Sequence, residues 1–149
     1  GAGYLDGKFK SFPAAILAGN HHVDLSDKDL PKTPKWTLNA LVDYSHPIAD
    51  NWDGFVRAEW IYRSASEGDL EALSVDLLNL PSFPYHLDSY QVVNVRLGVQ
   101  GEQFGLTGYV ENLFKEDYIT GTRNGFGLAG IRVHPHPQIW GLRLTWKMQ

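Results

Sequence analysis

Hydrophobic and polar residues alternate along five segments of the chain. These segments are residues 36–46, 52–63, 91–100, 104–114 and 138–148. Alternation with a period of two predicts β-strands, because successive side chains of a strand point to opposite faces of a sheet. A sixth segment, residues 3–9, has a similar composition but is too short to show which side chains share a face. The sequence therefore predicts an all-β fold, an antiparallel up-and-down meander of about six long strands.

The predicted connections alternate between long and short. The long ones are residues 10–35, 64–90 and 115–137, and the short ones are residues 47–51 and 101–103. All long loops therefore fall on one side of the predicted sheet. Outer-membrane barrels sort their loops in this way, whereas a soluble sandwich has no reason to do so. Within the second long loop, the pattern of residues 67–80 also predicts a short helix.

Odd and even strand positions separate into two faces. The apolar face consists of the even positions of 36–44, 52–62, 104–110 and 140–148 and the odd positions of 93–99. It contains no charged residue, while the opposite, charged face carries both signs. The charged-face candidates for lining an aqueous lumen are Asp43, Arg57, Glu59, Asn94, Arg96, Glu111 and Arg143. Alternation alone also fits a soluble antiparallel sheet, which buries one face and exposes the other to water.

Aromatic residues stand near the two ends of the apolar face rather than at its centre. They are Trp36 and Tyr44 on one strand, Trp52 and Trp60 on the next, and Trp140 and Trp146 on the last. A span of eight residues rises about 19 Å, taking about 3.3 Å per residue and a tilt near 45°. This rise is close to the spacing of the two aromatic girdles of membrane barrels. The pattern therefore predicts that these rings lie at the two membrane interfaces.

Composition and charge exclude several classes of function. A formal net charge of −4, a pI near 5.8 and the absence of a basic run argue against a nucleic-acid partner. The chain has no cysteine and therefore no disulfide, thiol nucleophile or thiolate metal ligand. No run of about 18 apolar residues is present, which excludes a transmembrane helix but not membrane strands. The start of the sequence does not resemble a signal peptide, so we expect a mature chain, a cytosolic chain or a piece of a longer one.

Four segments carry a resemblance to a known family through their order and spacing. They are LPKTPKWTLNALVDYSHP at 30–47, YQVVNVRLGVQ at 90–100, YVENLFKEDYITG at 109–121 and WGLRLTWKM at 140–148. Together they resemble the C-terminal portion of TonB-dependent outer-membrane receptors. In that family a strand ending in a V-E-N-L-F-type motif precedes a long loop and a last strand of W-G-x-R-L-x-Y type. The resemblance covers nearly the whole chain.

The resemblance implies a fold, a location and a function. The fold is a transmembrane β-barrel of about 22 strands with an N-terminal plug, in the bacterial outer membrane. The function is active uptake of a large nutrient, such as an iron–siderophore, haem, cobalamin or an oligosaccharide. No enzyme activity, catalytic residue, cofactor or metal site is implied. Residues 1–149 are expected to be a C-terminal segment of such a barrel, without the plug and the earlier strands.

The resemblance also implies partners. They are the remaining barrel strands and the plug, TonB through the N-terminal part of the receptor, outer-membrane lipid and the barrel assembly machinery. Family chains usually end on an aromatic residue, which that machinery reads. This sequence instead ends Trp146-Lys147-Met148-Gln149.

The strand that ends in Glu111-Asn112-Leu113-Phe114 raises a question of facing. Phe114 is predicted to point outward at the loop-side rim of the sheet. Asn112 has the same parity, although an amide near lipid is unfavourable without a hydrogen-bond partner. The favoured interpretation is that Asn112 ends the strand by capping nearby backbone groups. A direct role in ligand binding is the alternative.

Other candidate chemistry is weaker. The pairs His21-His22 and His134-Pro135-His136 could share a metal ion, but they lie in predicted loops without a third ligand at fixed spacing, so exposed loop histidines are the favoured interpretation. Carboxylates of the charged face share it with arginines, so we expect ion pairs across strands rather than an acid–base pair. The glycine-rich residues 121–130 neither follow a buried strand nor open a helix, and therefore do not fit a phosphate loop.

Two other functions fit the same strands. In the first, a soluble β-barrel turns the apolar face inward around a small hydrophobic ligand. In the second, several chains contribute six strands each to a small oligomeric pore. The sequence does not identify the transported molecule, because selectivity in receptors of this kind would depend largely on a plug and on loops.

Overall fold

The computed structural model describes residues 1–13, 15–17, 21–68, 70, 86–125 and 129–148. Its strands are β1 (Ala2–Tyr4), β2 (Ala15–Leu17), β3 (His21–Val23), β4 (Trp36–Ala49), β5 (Trp52–Arg63), β6 (Ser66–Glu67), β7 (His86–Leu87), β8 (Tyr90–Gly101), β9 (Phe104–Glu111), β10 (Gly121–Gly125), β11 (Ala129–Val133) and β12 (Ile139–Trp146). Most of the helix predicted within 67–80 lies outside the described residues. No helix in the described part is long and apolar enough to cross a membrane.

The predicted strands form one antiparallel sheet. Its six strands lie in the order β1, β4, β5, β8, β9 and β12, so neighbours in the sheet follow each other along the chain. This order confirms the predicted all-β meander. Strands β1 and β12 stand at the two edges of the described sheet.

Some strand ends differ from the sequence-based prediction. The strand predicted at 104–114 ends at Glu111, because Asn112 adopts a left-handed backbone conformation with a φ of 52° that breaks the extended chain. The strand predicted at 3–9 is limited to β1. Strand β4 continues past residue 46 to Ala49, with a shift in register between Pro47 and Ala49. This irregularity lies at the end of the strand, where pairing with β5 stops.

The connections of the sheet are sorted by length as predicted. Residues 50–51 join β4 to β5, and residues 102–103 join β8 to β9. Asn51 has a φ of 60°, which suits a tight hairpin turn. The long connections emerge at the opposite end and contain the two-stranded ribbons β2–β3, β6–β7 and β10–β11. The molecule thus has a turn side and a loop side.

The apolar face of the sheet has no core packed against it in the described residues. Val42, Leu97 and Leu142 are exposed by 62%, 56% and 77% of their surface. The buried hydrophobic residues of the described part are Val23, Leu25, Leu87 and Val92, which belong to the loops and to the loop-side end of β8. Because a wide apolar surface in water is unfavourable, the sheet needs an apolar surrounding on this face.

Glycines allow close approach between neighbouring strands. A Cβ atom at Gly98 would overlap the carbonyl oxygen of Leu106 and would lie 2.9 Å from the Cα of Thr107. Both are backbone atoms of the paired strand β9, so they cannot move aside without separating the strands. At Gly108, in contrast, a Cβ would meet its nearest atom, the Cδ2 of Leu142, at an ordinary 3.5 Å.

These two glycines give a matched test of strand packing. We expect Gly98→Ala to destabilise the sheet by about 1 to 3 kcal/mol, the usual cost of overpacking. Gly108→Ala should be neutral or slightly stabilising, since alanine loses less backbone entropy on folding than glycine. Urea unfolding of the protein in detergent micelles measures both effects. Equal stabilities of the two variants would contradict the close approach of β8 and β9 at Gly98.

Candidate functional site: the charged face and the loop-side rim

The register of the sheet brings the predicted charged-face residues together. Residues directly opposite each other in an antiparallel pair share a face. Each register pair therefore tests whether odd and even positions were assigned to the correct face. Asp43 lies opposite Arg57, which lies opposite Arg96 on the other side. Glu59 lies opposite Asn94. These side chains of β4, β5 and β8 therefore occupy one face, as their positions in the sequence indicate.

Two arginines of this face, Arg57 and Arg96, are paired with carboxylates across strands. The Nε of Arg57 donates to the Oδ2 of Asp43 at 2.9 Å, and the guanidinium makes a second, closer contact with the same oxygen. The Nη1 of Arg96 donates to the Oε1 of Glu59 at 2.9 Å. Its Nη2 lies 3.8 Å from the Oε1 of Glu111, so Arg96 links β5 and β9 through β8. The expected ion pairs, rather than an isolated acid–base pair, are therefore present.

Exposure limits the stability that these pairs add. The side chains of Arg96 and Glu59 are exposed by 34% and 31% of their surface, so solvent screens their attraction. Partly exposed ion pairs of this kind contribute about 0 to 1 kcal/mol each. Their main effect is on orientation, because each arginine is held against a fixed carboxylate.

Arg143 differs from the other arginines of the charged face. It lies on β12 opposite Thr107, and it makes no ion pair within the described part of the chain. With Arg143 included, the predicted lumen set contains three arginines and three carboxylates, Asp43, Glu59 and Glu111. The charges of this set therefore sum to zero, although Arg143, on the edge strand of the described sheet, has no carboxylate partner there.

Asn112 caps the end of β9, as favoured from the sequence. Its backbone N–H donates to the Oδ1 of Asn94 at 2.9 Å. Its side-chain Oδ1 accepts from the backbone N–H of Glu116 at 2.8 Å, and its Nδ2 donates to the Glu116 carbonyl at 2.9 Å. The side chain is therefore turned into the loop, and the residue is only 5% exposed. Phe114 lies beyond the strand end, in the turn, and is 72% exposed.

The aromatic residues of the apolar face form two groups. The loop-side group consists of Tyr4, Trp36, Trp60, Tyr62 and Trp140, and the turn-side group of Tyr44, Trp52, Phe104 and Trp146. Members of each group contact one another, with ring centroids 4.7 Å apart for Tyr4 and Trp36 and 6.2 Å apart for Phe104 and Trp146. Between the groups the face is mostly aliphatic or glycine. The six aromatics predicted at membrane interfaces thus stand at the two ends of one apolar surface.

A shallow depression of about 520 Å³ lies on the apolar face. It extends between Tyr44, Leu97 and Leu142, where Gly54 and Gly108 contribute no side chain. A soluble barrel with a hydrophobic ligand would enclose its apolar residues. Here the described sheet is open, with β1 and β12 at separate edges, and Leu97 and Leu142 beside the depression are exposed. The arrangement does not favour the soluble ligand-binding barrel.

The histidine pairs do not assemble a metal site in the described residues. His134 contacts a carboxylate, its Nδ1 lying 3.2 Å from the Oδ1 of Asp117. No group of three or more histidine or carboxylate ligands is close enough to hold a metal ion within the residues that the structure describes. His22 is exposed on β3.

Sequence reasoning missed a second polar cluster, which we call the rim pocket. It lies at the loop side, has a volume of about 100 Å³, and is lined in part by Lys32, Arg63, Ser66, Asp88, Tyr90 and Thr120. Arg63 continues the parity of Arg57 and Glu59, so the strand pattern held a signal for it. Lys32 and Thr120 come from two different loops, and nothing local in the sequence relates them to Arg63.

An aromatic pair adjoins the rim pocket. The rings of Tyr90 and Tyr118 are stacked with centroids 4.1 Å apart. Burial raises the pKa of the Tyr118 hydroxyl, the neighbouring Tyr90 raises it further, and the positive charge of Arg63 partly opposes both effects. The pair thus connects β8 to the third long loop, close to Arg63 at the end of β5.

Comparison with known proteins adds one match. A family model described as "TonB dependent receptor-like, beta-barrel" matches residues 2–113. The matched range contains β1 to β9, and therefore both turns, the first two long loops and most of the charged face. Strand β12 and the third long loop lie beyond the match. No solved structure matches the chain.

The cap at Asn112 can be tested with two variants. We expect Asn112→Ala to lose both side-chain hydrogen bonds to Glu116 and to strain the left-handed backbone, at a cost of about 1 to 3 kcal/mol. Asn112→Gly loses the same bonds but tolerates the backbone, so it should be the milder change. Amide hydrogen exchange at Glu116 is the measurement. Unchanged protection in Asn112→Ala would show that the side chain does not hold the loop.

Proposed function

The match covers most of the chain, so this protein belongs to the TonB-dependent receptor-like β-barrel family, and from this premise we propose that it takes part in active nutrient uptake across the bacterial outer membrane. In this proposal residues 1–149 supply the last strands of a receptor barrel. The cargo is a large nutrient, such as an iron–siderophore, haem, cobalamin or an oligosaccharide. The family is one of transporters and not of enzymes.

One observation carries the proposal beyond family membership. The apolar face is charge-free, exposed and bounded at both ends by aromatic residues, and the opposite face carries paired charges. Membrane barrels have this arrangement, with an apolar band toward lipid, aromatic girdles at both interfaces and a polar interior. The apolar face is therefore proposed to contact outer-membrane lipid, and the charged face to line the lumen.

The open edges of the sheet support the presence of further strands. In hydrocarbon, each unpaired backbone N–H or C=O costs several kcal/mol, so a membrane sheet must close on itself. Bacterial membrane barrels have about eight strands or more, whereas the described sheet has six. We propose that additional receptor strands pair with β1 and β12, assembled by the barrel assembly machinery. A pore of several chains would also satisfy the edges, but family membership favours a single receptor barrel.

The charged face suits a lumen that holds a plug. The predicted lumen residues include three carboxylates and three arginines, so this part of the wall attracts neither cations nor anions strongly. Paired side chains also keep fixed positions, which favours a defined contact surface for a plug domain. Opening of the lumen would come from the plug, acted on by TonB through the N-terminal part of the receptor. The wall itself performs no chemical step.

Arginine substitutions on opposite faces test the proposed orientation in the membrane. Leu142→Arg should weaken folding into lipid by about 2 to 4 kcal/mol if the residue lies near the bilayer midplane. Thr145→Arg, on the charged face of the same strand, should change this free energy little, because its side chain would enter water. Folding titrations in lipid vesicles give both values. Equal tolerance at the two positions would contradict a lipid-facing apolar face.

Cysteine labelling tests which side of the membrane carries the long loops. The chain has no cysteine, so Asp117→Cys on the loop side and Glu102→Cys on the turn side give single reactive sites. The side chain of Asp117 is 88% exposed, and Glu102 is also exposed. A membrane-impermeant maleimide should label Asp117→Cys on intact cells, and Glu102→Cys only after the outer membrane is opened. The reverse pattern would show an inverted topology.

A further inference from the structure

The rim pocket is lined by two cations, Lys32 from the first long loop and Arg63 from the end of β5. Arg57 and Arg96 are paired with carboxylates, and Lys35 lies 3.2 Å from Asp29 and 3.5 Å from Asp6. Lys32 and Arg63 make no ion pair within the residues that the structure describes. Two cations facing one small pocket repel each other unless an anion lies between them.

Backbone contacts hold the main chain of both residues in place. Arg63 is the last residue of β5 and lies opposite Thr37 on one side and Tyr90 on the other. The backbone N–H of Lys32 donates to the carbonyl of Glu67 at 2.8 Å. The φ of Lys32 is 57°, a left-handed conformation that is uncommon for lysine and persists only where the surroundings enforce it. The two cations therefore belong to an ordered meeting point of loops and strand.

The chemistry of the lining fits an anionic oxygen group. Arginine offers a planar fork of N–H donors, and lysine offers a compact ammonium, and both prefer carboxylate and phosphate oxygens. Ser66 and Tyr90 add hydroxyl groups that can donate to the same oxygens. Asp88 is the one acidic residue in the described lining, so the two cations leave a net charge of +1.

The size of the pocket sets what it can hold. A volume of about 100 Å³ is well below the roughly 300 to 1,000 Å³ of pockets that enclose a whole small molecule. One carboxylate or phosphate group fits, with the rest of the molecule outside. Arg63 shares the charged face with Arg57 and Glu59, so the pocket opens toward the proposed lumen rather than toward lipid.

We propose that the rim pocket binds a carboxylate or phosphate group of the transported molecule through Lys32 and Arg63, at the loop-side mouth of the barrel. The proposal rests on the uptake function proposed above and narrows its cargo to molecules that carry such a group. Neutral oligosaccharides are thereby disfavoured as cargo.

The first experiment measures the binding of citrate and inorganic phosphate to the purified receptor in detergent by isothermal titration calorimetry. Arg63→Gln and Lys32→Gln should each weaken citrate binding by about tenfold, the effect of losing one charge-assisted hydrogen bond. Lys10→Gln is the matched control, because Lys10 is exposed in the same loop as Lys32 and does not line the pocket. Arg63→Lys, which keeps the charge but not the fork, should fall between the original protein and Arg63→Gln.

Three results would overturn the inference. They are no binding of either probe to the original receptor, equal citrate affinity in Arg63→Gln and Arg63→Lys, or an equal loss in Lys10→Gln. A lipid source of the anion is tested with lipopolysaccharide, whose phosphates reach the protein from the membrane. Displacement of citrate by lipopolysaccharide in the original receptor, but not in Arg63→Gln, would assign the pocket to lipid phosphate and overturn the cargo assignment.

Failure of this inference and failure of the proposed function give different results. If Asp117→Cys is labelled on intact cells but citrate binding does not depend on Arg63 and Lys32, only the pocket assignment is wrong. If Asp117→Cys is labelled only after the outer membrane is opened, the uptake proposal is wrong, whatever the citrate affinities. Each pocket variant is also combined with Asp117→Cys and labelled on intact cells. Labelling as in the original receptor shows that the variant has folded and assembled, so a loss of citrate binding is not confused with a loss of structure.

Discussion

The hydrogen-bond ladder between antiparallel strands is the interaction on which the described structure depends. Within the residues that the structure describes, no layer packs against the apolar side of the sheet, and the buried hydrophobic residues lie at the loop side. The ladder joins six strands in chain order, so each strand is held by its neighbours along the sequence. This arrangement suits an apolar medium, where unsatisfied backbone groups are costly and apolar side chains need no partner layer.

The pairing of the strands also determines which charged residues are neighbours. Directly opposite residues share a face and lie close together, so the register decides which charged side chains become neighbours. Asp43 beside Arg57, and Glu59 and Glu111 around Arg96, are consequences of that register. The same register places Tyr109 over Gly141, where a Cβ would lie 2.6 Å from the tyrosine hydroxyl oxygen. Polar side chains and glycines thus fill the charged face without a separate core.

At the loop side, the strands of the charged face are joined to the loops that are proposed to contact the cargo. At Asn112 the chain leaves the ladder, and its side chain bonds to Glu116 while its backbone bonds to Asn94. One wall residue, Asn94, therefore anchors the start of the third loop. Arg63, at the loop-side end of β5, continues the charged face into the rim pocket. Residues from all three long loops also line this pocket. In the proposed receptor, cargo contacts at the mouth would rest on strands that also carry the lumen charges.

The sequence by itself determined the five long strands, the sorting of loops and the faces of those strands, because alternation with a period of two is a local property that each long strand carries alone. The sixth strand was indicated only by its composition. It also indicated the cap at Asn112, since asparagine after an extended run favours local hydrogen bonds. The tertiary structure decided the strand ends at Glu111 and Ala49, the choice of Arg96 as the bridge between two carboxylates, and the rim pocket. The Arg96 bridge and the rim pocket join residues that are distant in the chain, such as Lys32, Arg63 and Thr120 in the pocket. Their proximity follows from strand register and loop paths, which local patterns do not encode.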